Sequence, residues 1–383
     1  MVVASGKWQV ASPHLSLVPY ALSLEIWDFL LPHDILLGMS APIFVGVDIG
    51  GTSIRAARFD GHTHTPAAKL KSPTQAAKGP EAVMQRIERI IREVASPDPA
   101  ASSGQTLAGV AGVGIIAPGP LDPFTGVVLA APNIPGWENI PLRKVIEERL
   151  GCPVFLGNDA NVAALGEWKF GAGRGHNDVL YLTISTGIGG GVISGGKLLL
   201  GARGLAAEVG HLLVVPDGPM CGCGQRGHLE AVASGTAIGR TAQARLKAGD
   251  GENSKIWDIV GDELDKVTGA VVGEAAQAGD EFARKLIAEA GMFIGRTVAS
   301  LLHLYNPSIV ICGGGVSMLG DVLLDPMRAA VRQYAMSDVY WRDCSIVTAE
   351  LGDDAGLVGA GALVMEELEF GSQKPEAGSR SSK

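Results

Sequence analysis

One stretch of the chain, from Leu182 to Glu230, holds three groups of side chains that could do chemistry. The first is a glycine-rich loop, Ser185–Gly191. The second is an acid–histidine pair, Glu208 and His211, and the third is a cysteine cluster that ends at Glu230. Glycine loops bring backbone N–H groups close to anions such as phosphate, and carboxylates accept hydrogen bonds from hydroxyls. The stretch therefore predicts a site for a phosphorylated ligand beside a hydroxylated one.

Four side chains in and beside the cysteine cluster predict a zinc site: His211, Cys221, Cys223 and His228. Zinc takes thiolate and imidazole ligands in a tetrahedron, and this set offers two of each within eighteen residues. The intervening glycines allow the backbone to fold around an ion. With two thiolates the site would be nearly neutral, so we expect a closed, structural zinc. Free thiols in a mobile loop are the alternative.

Two carboxylates flank these ligands closely. Glu208 precedes His211 by three residues, and Glu230 follows His228 by two. A bound metal would therefore position both acids, which suits the vicinal hydroxyls of a sugar, and it would fix the orientation of the His211 ring. For each acid, an ordinary surface glutamate is the alternative.

A second glycine turn, Asp48-Ile-Gly-Gly-Thr-Ser53, follows the apolar segment 43–48, which we predict to be the first strand. The N–H groups of Gly50, Gly51 and Thr52 could converge on an anion. Asp48 could hold a water bound to Mg²⁺. A plain hairpin turn is the alternative.

Asn158 and Asp159 stand between a predicted strand, residues 153–157, and a predicted helix, residues 160–170. Ligands of open α/β sheets gather at this end of the strands. A kinase acting on hydroxyl groups needs one fixed carboxylate as proton acceptor, so we predict that Asp159 is the catalytic base. Asn158 would orient a ligand or cap the helix.

The sequence around the loop Ser185–Gly191 repeats the arrangement around Asp48. A strand, residues 178–184, enters the loop and a hairpin follows it. The repeat predicts two lobes built on one plan that grip a nucleotide between them. Three glycines after the strand 308–312 would let an adenine or ribose lie on the backbone at Gly314 and Gly315, with a simple turn as the alternative.

Helical periodicity predicts the remaining elements. They are the helices 81–94, 231–248, 256–278, 281–305, 321–334 and 355–369.

Composition limits the classes of protein that the chain could represent. With 383 residues, 46% of them hydrophobic, the chain suits a two-lobed α/β protein. A net charge of −9 argues against a nucleic-acid-binding surface. Five cysteines with one C-x-C pair suggest reduced thiols and a metal, which fits the cytoplasm. Residues 15–40 are apolar, but prolines and acids interrupt them, so we predict neither a signal peptide nor a membrane span.

Taken together, these motifs resemble the ROK family of bacterial sugar kinases and sugar-responsive repressors, and they are most similar to its glucokinase branch. The resemblance covers residues 43–369. It implies an α/β, actin-like ATPase (ribonuclease H-like) fold with two lobes around a central cleft, and a last helix that packs on the first lobe. The small N-terminal lobe would comprise residues 41–163 plus 354–370, and the large C-terminal lobe with the zinc site residues 164–353. Outside the resemblance, residues 1–40 show no sustained period, so we expect them to be unstructured or to precede a true start at Met39. Residues 371–383 are polar, and we expect a disordered tail.

The resemblance also implies transfer of the γ-phosphoryl group of Mg²⁺-ATP to a hexose, with glucose giving glucose 6-phosphate, by a homodimer or homotetramer. Asp159 would be the base. The remaining assignments are hexose ligands Asn158, Glu208, His211 and Glu230; phosphate-binding loops at Gly50, Gly51, Thr52, Thr186 and Gly187; and Gly314 and Gly315 beside the adenosine. His228 departs from the family, which usually has a third cysteine there.

Two other functions fit the same motifs. A kinase of N-acetylmannosamine or N-acetylglucosamine is possible because the motifs do not define the volume of the sugar pocket, and polyphosphate is an alternative phosphoryl donor. A sugar-responsive repressor would need a DNA-binding domain before residue 41, and we disfavour it because that segment is short and contains one Lys and no Arg.

Overall fold

The structure is a computed structural model that describes residues 41–96, 107, 109–131 and 134–371. The predicted N-terminal extension, with its candidate start at Met39, lies outside these residues. So does the predicted tail, apart from Gly371, at which the last helix ends. Within the described ranges, no helix combines the length and the apolar character that crossing a bilayer requires.

The first sheet has five strands. They are β1 (Ile43–Ile49), β2 (Ser53–Asp60), β3 (Ala68–Pro73), β4 (Val110–Ile116) and β8 (Val154–Gly157). Their order is β3-β2-β1-β4-β8, with β1 antiparallel to β2 and parallel to β4. Most residues of β1 are buried, as expected for a strand covered on both faces.

The second sheet repeats this plan. Its strands are β9 (Val179–Ile184), β10 (Ile188–Ser194), β11 (Lys197–Leu198), β12 (Ile309–Gly313) and β13 (Ser345–Thr348). Their order is β11-β10-β9-β12-β13, with β9 antiparallel to β10 and parallel to β12. The repeat predicted from the two glycine loops is confirmed. A third, antiparallel sheet consists of β5 (Leu121–Asp122), β6 (Val127–Ala130) and β7 (Glu138–Ile140).

Ten helices are present in the described part of the chain. They are α1 (Pro80–Ala95), α2 (Leu142–Leu150), α3 (Asp159–Phe170), α4 (Leu229–Ala233), α5 (Gly235–Lys247), α6 (Ile256–Val260), α7 (Gly269–Gln277), α8 (Glu281–Tyr305), α9 (Asp321–Tyr334) and α10 (Ala355–Gly371). Helix α1 starts with proline and buries one apolar face, as its period predicts.

Two predicted helices are each broken in the structure. The predicted helix 231–248 is wrong, because α4 ends before Ser234 and α5 begins after it. Ser234 is the N-cap of α5, and its hydroxyl accepts from the Ala237 N–H at 3.2 Å. The predicted helix 256–278 is also wrong, since α6 and α7 are separate and Thr268 caps α7. Hydroxyl side chains satisfy the free N–H groups of a new helix, which favours a break over continuation.

Helices α3 and α10 lie between the two large sheets and cross at glycine. A β-carbon at Gly166 of α3 would lie 2.9 Å from the backbone nitrogen of Gly359 in α10. Helix α10 approaches the first sheet equally closely, because a β-carbon at Gly46 would lie 2.5 Å from the Leu357 carbonyl oxygen. Backbone contact of this kind fixes α3, and with it Asp159 at its first position, relative to both sheets.

Candidate active site

Asp159 and Asn158 lie where β8 ends and α3 begins. The side-chain oxygen of Asn158 accepts a hydrogen bond from the Asn161 N–H at 2.8 Å, so Asn158 is the N-cap of the helix. The capping alternative for Asn158 is therefore present in the structure, and its role as a hexose ligand stays a prediction. Oδ1 of Asp159 accepts from the Ala160 N–H at 2.8 Å. This bond orients the carboxylate.

The surroundings of Asp159 favour its protonated form. The side chain is accessible to solvent, yet protein atoms surround it closely, and burial raises the pKa of its carboxyl group above the ordinary value. The Ala160 N–H opposes this rise, and the charge of Asp48 adds to it. A carboxylate that is held in this way is a stronger base than a free aspartate.

The glycines of strand β10 let two site segments approach its two faces. The predicted loop Ser185–Gly191 ends at Gly187, because Ile188 begins the strand. Side chains alternate between faces along a strand. A β-carbon at Gly191 would lie 2.5 Å from that of Ala164 in α3, and one at Gly190 would lie 2.5 Å from Cγ2 of Val209. Three of the four predicted loop glycines therefore serve packing.

Glu208 and His211 lie on the segment that packs against Gly190. Ala207, just before them, has a positive φ of 66°, which is uncommon for a residue with a side chain, and a 3₁₀ turn, Val209–His211, follows Glu208. Burial raises the pKa of Glu208, His211 opposes the rise, and the charges of Asp159 and Glu230 add to it. The carboxylates of Glu208, Asp159 and Glu230 thus lie within electrostatic reach of one another.

Glu230 lies in the first turn of α4 and joins two parts of the site. Its Oε2 accepts a hydrogen bond from the Ile188 N–H at 3.1 Å. Its Oε1 lies 3.6 Å from Sγ of Cys221. The predicted neighbourhood of Glu230 and the cysteine cluster is therefore present, and the carboxylate also reaches the end of the glycine loop.

The predicted zinc ligands form one cluster. His211, Cys221, Cys223 and His228 each offer an atom within 4.8 Å of the other three. Sγ of Cys221 lies 3.7 Å from Nδ1 of His211, and Sγ of Cys223 lies 3.2 Å from Nδ1 of His228. Zinc–ligand bonds of about 2.0–2.3 Å would separate tetrahedral ligand atoms by about 3.3–3.8 Å. The arrangement fits a zinc ion with little rearrangement.

The turn after β1 places Asp48 beside the glycine loop of Gly50, Gly51 and Thr52. Arg55 donates from Nε and Nη2 to Oδ2 of Asp48, at 3.1 and 2.5 Å. A buried residue with no motif, Thr74, supports the loop. Its N–H donates to the Thr52 carbonyl and its hydroxyl to the Gly50 carbonyl, at 2.9 and 2.6 Å. The loop N–H groups of this turn are thereby held in one conformation.

The loop Ser185–Gly187 borders a cavity of about 890 Å³. Thr186 and Gly315 line the cavity, while Gly187 packs against Glu230 and Gly314 packs against Ile184 with a φ of 83°. The sequence motifs do not predict the rest of the lining, most of which comes from α5, from α7 and from the residues just before α7. It includes Thr236, Thr268, Gly269 and Glu274. The helix caps Ser234 and Thr268 are the signal that could have located the starts of α5 and α7.

Comparison with known proteins agrees with this architecture. The chain is 40% identical over 326 residues to a glucokinase of Thermotoga maritima, an alignment that covers 85% of this chain and 98% of that protein. A crystal structure of a ROK family glucokinase from Streptomyces griseus, with glucose and AMPPNP, is 39% identical with a TM-score of 0.70, covering 85% and 99% of the two chains. A ROK hexokinase from Thermus thermophilus is 36% identical, also with a TM-score of 0.70 and the same coverage.

The fold is the actin-like ATPase fold of sugar kinases, as the resemblance implied. The ROK family pattern matches residues 44–367, nearly the whole range over which the motifs resemble it. The chain belongs to the ROK family.

Proposed function

We propose that the protein phosphorylates glucose with ATP, giving glucose 6-phosphate and ADP. The observation that supports this most strongly is the position of Asp159. Its carboxylate lies at the first turn of α3, has a raised pKa, and shares its surroundings with Glu208, whose pKa responds to Asp159, His211 and Glu230. A sugar hydroxyl bound by these groups would lie beside a base and between two glycine loops.

Asp159 acts as the general base in this reaction. It accepts the proton of the attacking hydroxyl late, as the oxygen bonds to the γ-phosphorus. The oxygen–phosphorus bond to ADP breaks as the new bond forms, so no covalent enzyme intermediate is needed. Closure of the two halves around the ligands would exclude water and align the hydroxyl in line with the phosphorus.

The hexose is bound by Asn158, Glu208, His211 and Glu230. Each carboxylate accepts hydrogen bonds from sugar hydroxyls. His211 can turn one ring nitrogen to the metal cluster and leave the other for the sugar. The amide nitrogen of Asn158 can donate to the hexose while its oxygen remains the helix cap.

The two glycine loops hold the phosphates and the cavity holds the nucleoside. Gly50, Gly51 and Thr52 supply N–H groups from the first loop, and Thr186 and Gly187 supply them from the second. Gly314 and Gly315 lie beside the adenosine. The cavity volume of about 890 Å³ falls in the range of small-molecule sites.

Asp48 is the carboxylate that would hold a magnesium-bound water. In the described part of the chain, its Oδ1 receives no hydrogen bond, while Arg55 occupies Oδ2. Magnesium, when bound with ATP, neutralises charge on the phosphates.

A structural zinc ion would be held by the cluster of His211, Cys221, Cys223 and His228, which brings two thiolates and two imidazoles together. Such a four-ligand site has no open position for substrate. It would stabilise the segments that carry Glu208 and Glu230.

Membership of the ROK family supports two further proposals, on the lobe boundaries and on the oligomeric state. The lobes would divide at 163/164 and 353/354, and the protein would act as a homodimer or homotetramer. None of the five cysteines forms a disulfide bond, which is consistent with a cytoplasmic location.

The decisive experiment incubates purified protein with ATP, Mg²⁺ and a panel of hexoses, and measures ADP release. We expect glucose to give the highest kcat/KM. A higher value for N-acetylmannosamine or N-acetylglucosamine would instead assign the acetamido alternative. Polyphosphate in place of ATP tests the donor. The proposal is wrong if no hexose stimulates ADP release.

A further inference from the structure

The carboxylate of Glu230 touches the phosphate loop as well as the cysteine–histidine cluster. Oε2 accepts the N–H of Ile188, the first residue of β10, at 3.1 Å. Gly187 packs so closely on the same oxygen that any side chain at position 187 would overlap it. Oε1 faces the buried thiol of Cys221 at 3.6 Å. One side chain therefore lies between the cluster and the end of the loop Ser185–Gly187.

The other end of this loop is held by the same segment of chain. The Gly235 N–H donates to the Ser185 carbonyl at 2.7 Å, and the hydroxyl of Thr236 donates to the Thr186 carbonyl at 2.8 Å. Glu230 and Gly235 are five residues apart, on either side of the end of α4. The segment 230–236 thus holds both ends of a loop whose Ser185 and Thr186 line the nucleotide cavity.

We infer that Glu230 is a positioning residue for the phosphate loop, which couples the cysteine–histidine cluster to nucleotide binding. This role rests on the proposed function and adds to the predicted contact of Glu230 with sugar. The positioning role requires that the Ile188 N–H have an acceptor, because a buried donor without one is costly, and the coupling requires that the cluster fix the place of Glu230. His228 of the cluster is the residue just before α4 and lies two residues before Glu230, so the cluster fixes the start of the helix that carries Glu230. Glu230 in turn holds the loop in the conformation that receives phosphate.

The test measures the affinity of the full chain for Mg²⁺-ADP by calorimetry, without sugar, so that sugar contacts of Glu230 do not contribute. We expect Glu230→Ala to weaken ADP binding by about fivefold or more, since the Ile188 N–H loses its acceptor. Glu230→Gln keeps an acceptor oxygen and should bind ADP within about twofold of the wild type. Its KM for glucose should nevertheless rise, because the charge is lost.

Two further variants make the result specific. Glu208→Gln removes a neighbouring carboxylate that makes no hydrogen bond to this loop in the described chain, and it should leave ADP affinity unchanged. Cys223→Ser alters the cluster at a thiol that faces His228, and it should weaken ADP binding if the cluster holds Glu230. Glu230→Met, which fills a similar volume, replaces the alanine variant if that protein does not fold.

Wild-type ADP affinity in Glu230→Ala or Glu230→Met would overturn the inference while leaving the proposed function intact. Wild-type affinity in Cys223→Ser alone would remove the cluster from the coupling and so contradict that part of it. If the wild-type protein binds no ADP, the proposed function itself has failed.

Discussion

Arg55 donates two hydrogen bonds to one carboxylate oxygen of Asp48. Its Nε and Nη2 both donate to Oδ2, at 3.1 and 2.5 Å. The two residues are paired across the β1–β2 hairpin, and Nη1 of Arg55 also donates to the Asp353 carbonyl at 3.1 Å. Asp48 is thereby held in one orientation with Oδ1 available.

Arg55→Ala should release Asp48 and raise the concentration of Mg²⁺ needed for half-maximal activity. A partly exposed ion pair contributes up to about 1 kcal/mol, so we expect a shift of about two- to fivefold. Arg55→Lys keeps the charge without the two-pronged geometry and should be intermediate. The measurement is a titration of activity against Mg²⁺ at saturating ATP and glucose. An unchanged Mg²⁺ requirement in Arg55→Ala would show that the pair does not orient Asp48.

The raised pKa of Asp159 predicts how activity depends on pH. A general base must be ionised, and burial raises the pKa of Asp159 above the ordinary value of 3.8. Activity should therefore be complete above the raised pKa and should fall as pH decreases through it, at a higher pH than an unperturbed aspartate would give. A profile of kcat/KM against pH, with circular dichroism as a check on folding, measures this. Glu208→Gln is the control, because Glu208 also has a raised pKa. The assignment fails if this variant loses the acid limb.

Gly191→Ala should disturb the packing that places Asp159. The new methyl group would lie 2.5 Å from the β-carbon of Ala164 and 3.0 Å from the Ala160 carbonyl oxygen, so β10 and α3 must separate. Such overpacking costs about 1–3 kcal/mol, and a displaced α3 should lower kcat as well. Gly222→Ala is the control, since an added β-carbon there meets no atom within 4 Å apart from those of its two chain neighbours. Denaturant unfolding and kcat are measured for both, and equal stability of the two variants would argue against this packing role.

Zinc should be present at about one ion per chain and should depend on the cluster. Cys223→Ser should remove most of the metal and lower the thermal midpoint by about 5 °C or more, because binding energy of a structural zinc contributes to folding. Cys344→Ser, at a cysteine outside the cluster, should keep its zinc. Elemental analysis and thermal unfolding provide both readouts. Purified protein with full activity and no zinc would refute a structural role for the metal.

Much of the fold could be predicted because its signals are local. Glycine turns after apolar strands indicated the repeated hairpins, and the N-capping Asn158 marked the start of α3. The helix breaks at Ser234 and Thr268 were missed because the apolar period continues across them. The caps alone identify them, and the residues at these breaks line the cavity of about 890 Å³.

The proximity of site residues was predictable where they are close in sequence, as for the four clustered side chains between His211 and His228; their role as zinc ligands stays a prediction. Long-range support was not predictable. Thr74 carries no motif, yet it holds Gly50 from 24 residues away. The packing role of Gly189–Gly191 could be predicted in part, since consecutive glycines in a strand indicate that other segments approach both of its faces closely. Which segments these are cannot be predicted from the sequence.

The most direct measurement compares Asp159→Asn with the wild type in the ADP-release assay at saturating glucose and Mg²⁺-ATP. The substitution keeps the shape of the side chain and removes its basicity. We predict that kcat falls by at least ~10²-fold, the low end for general base catalysis, with little change in glucose affinity. A variant that turns over glucose at a near-normal rate would show that Asp159 does not accept the proton.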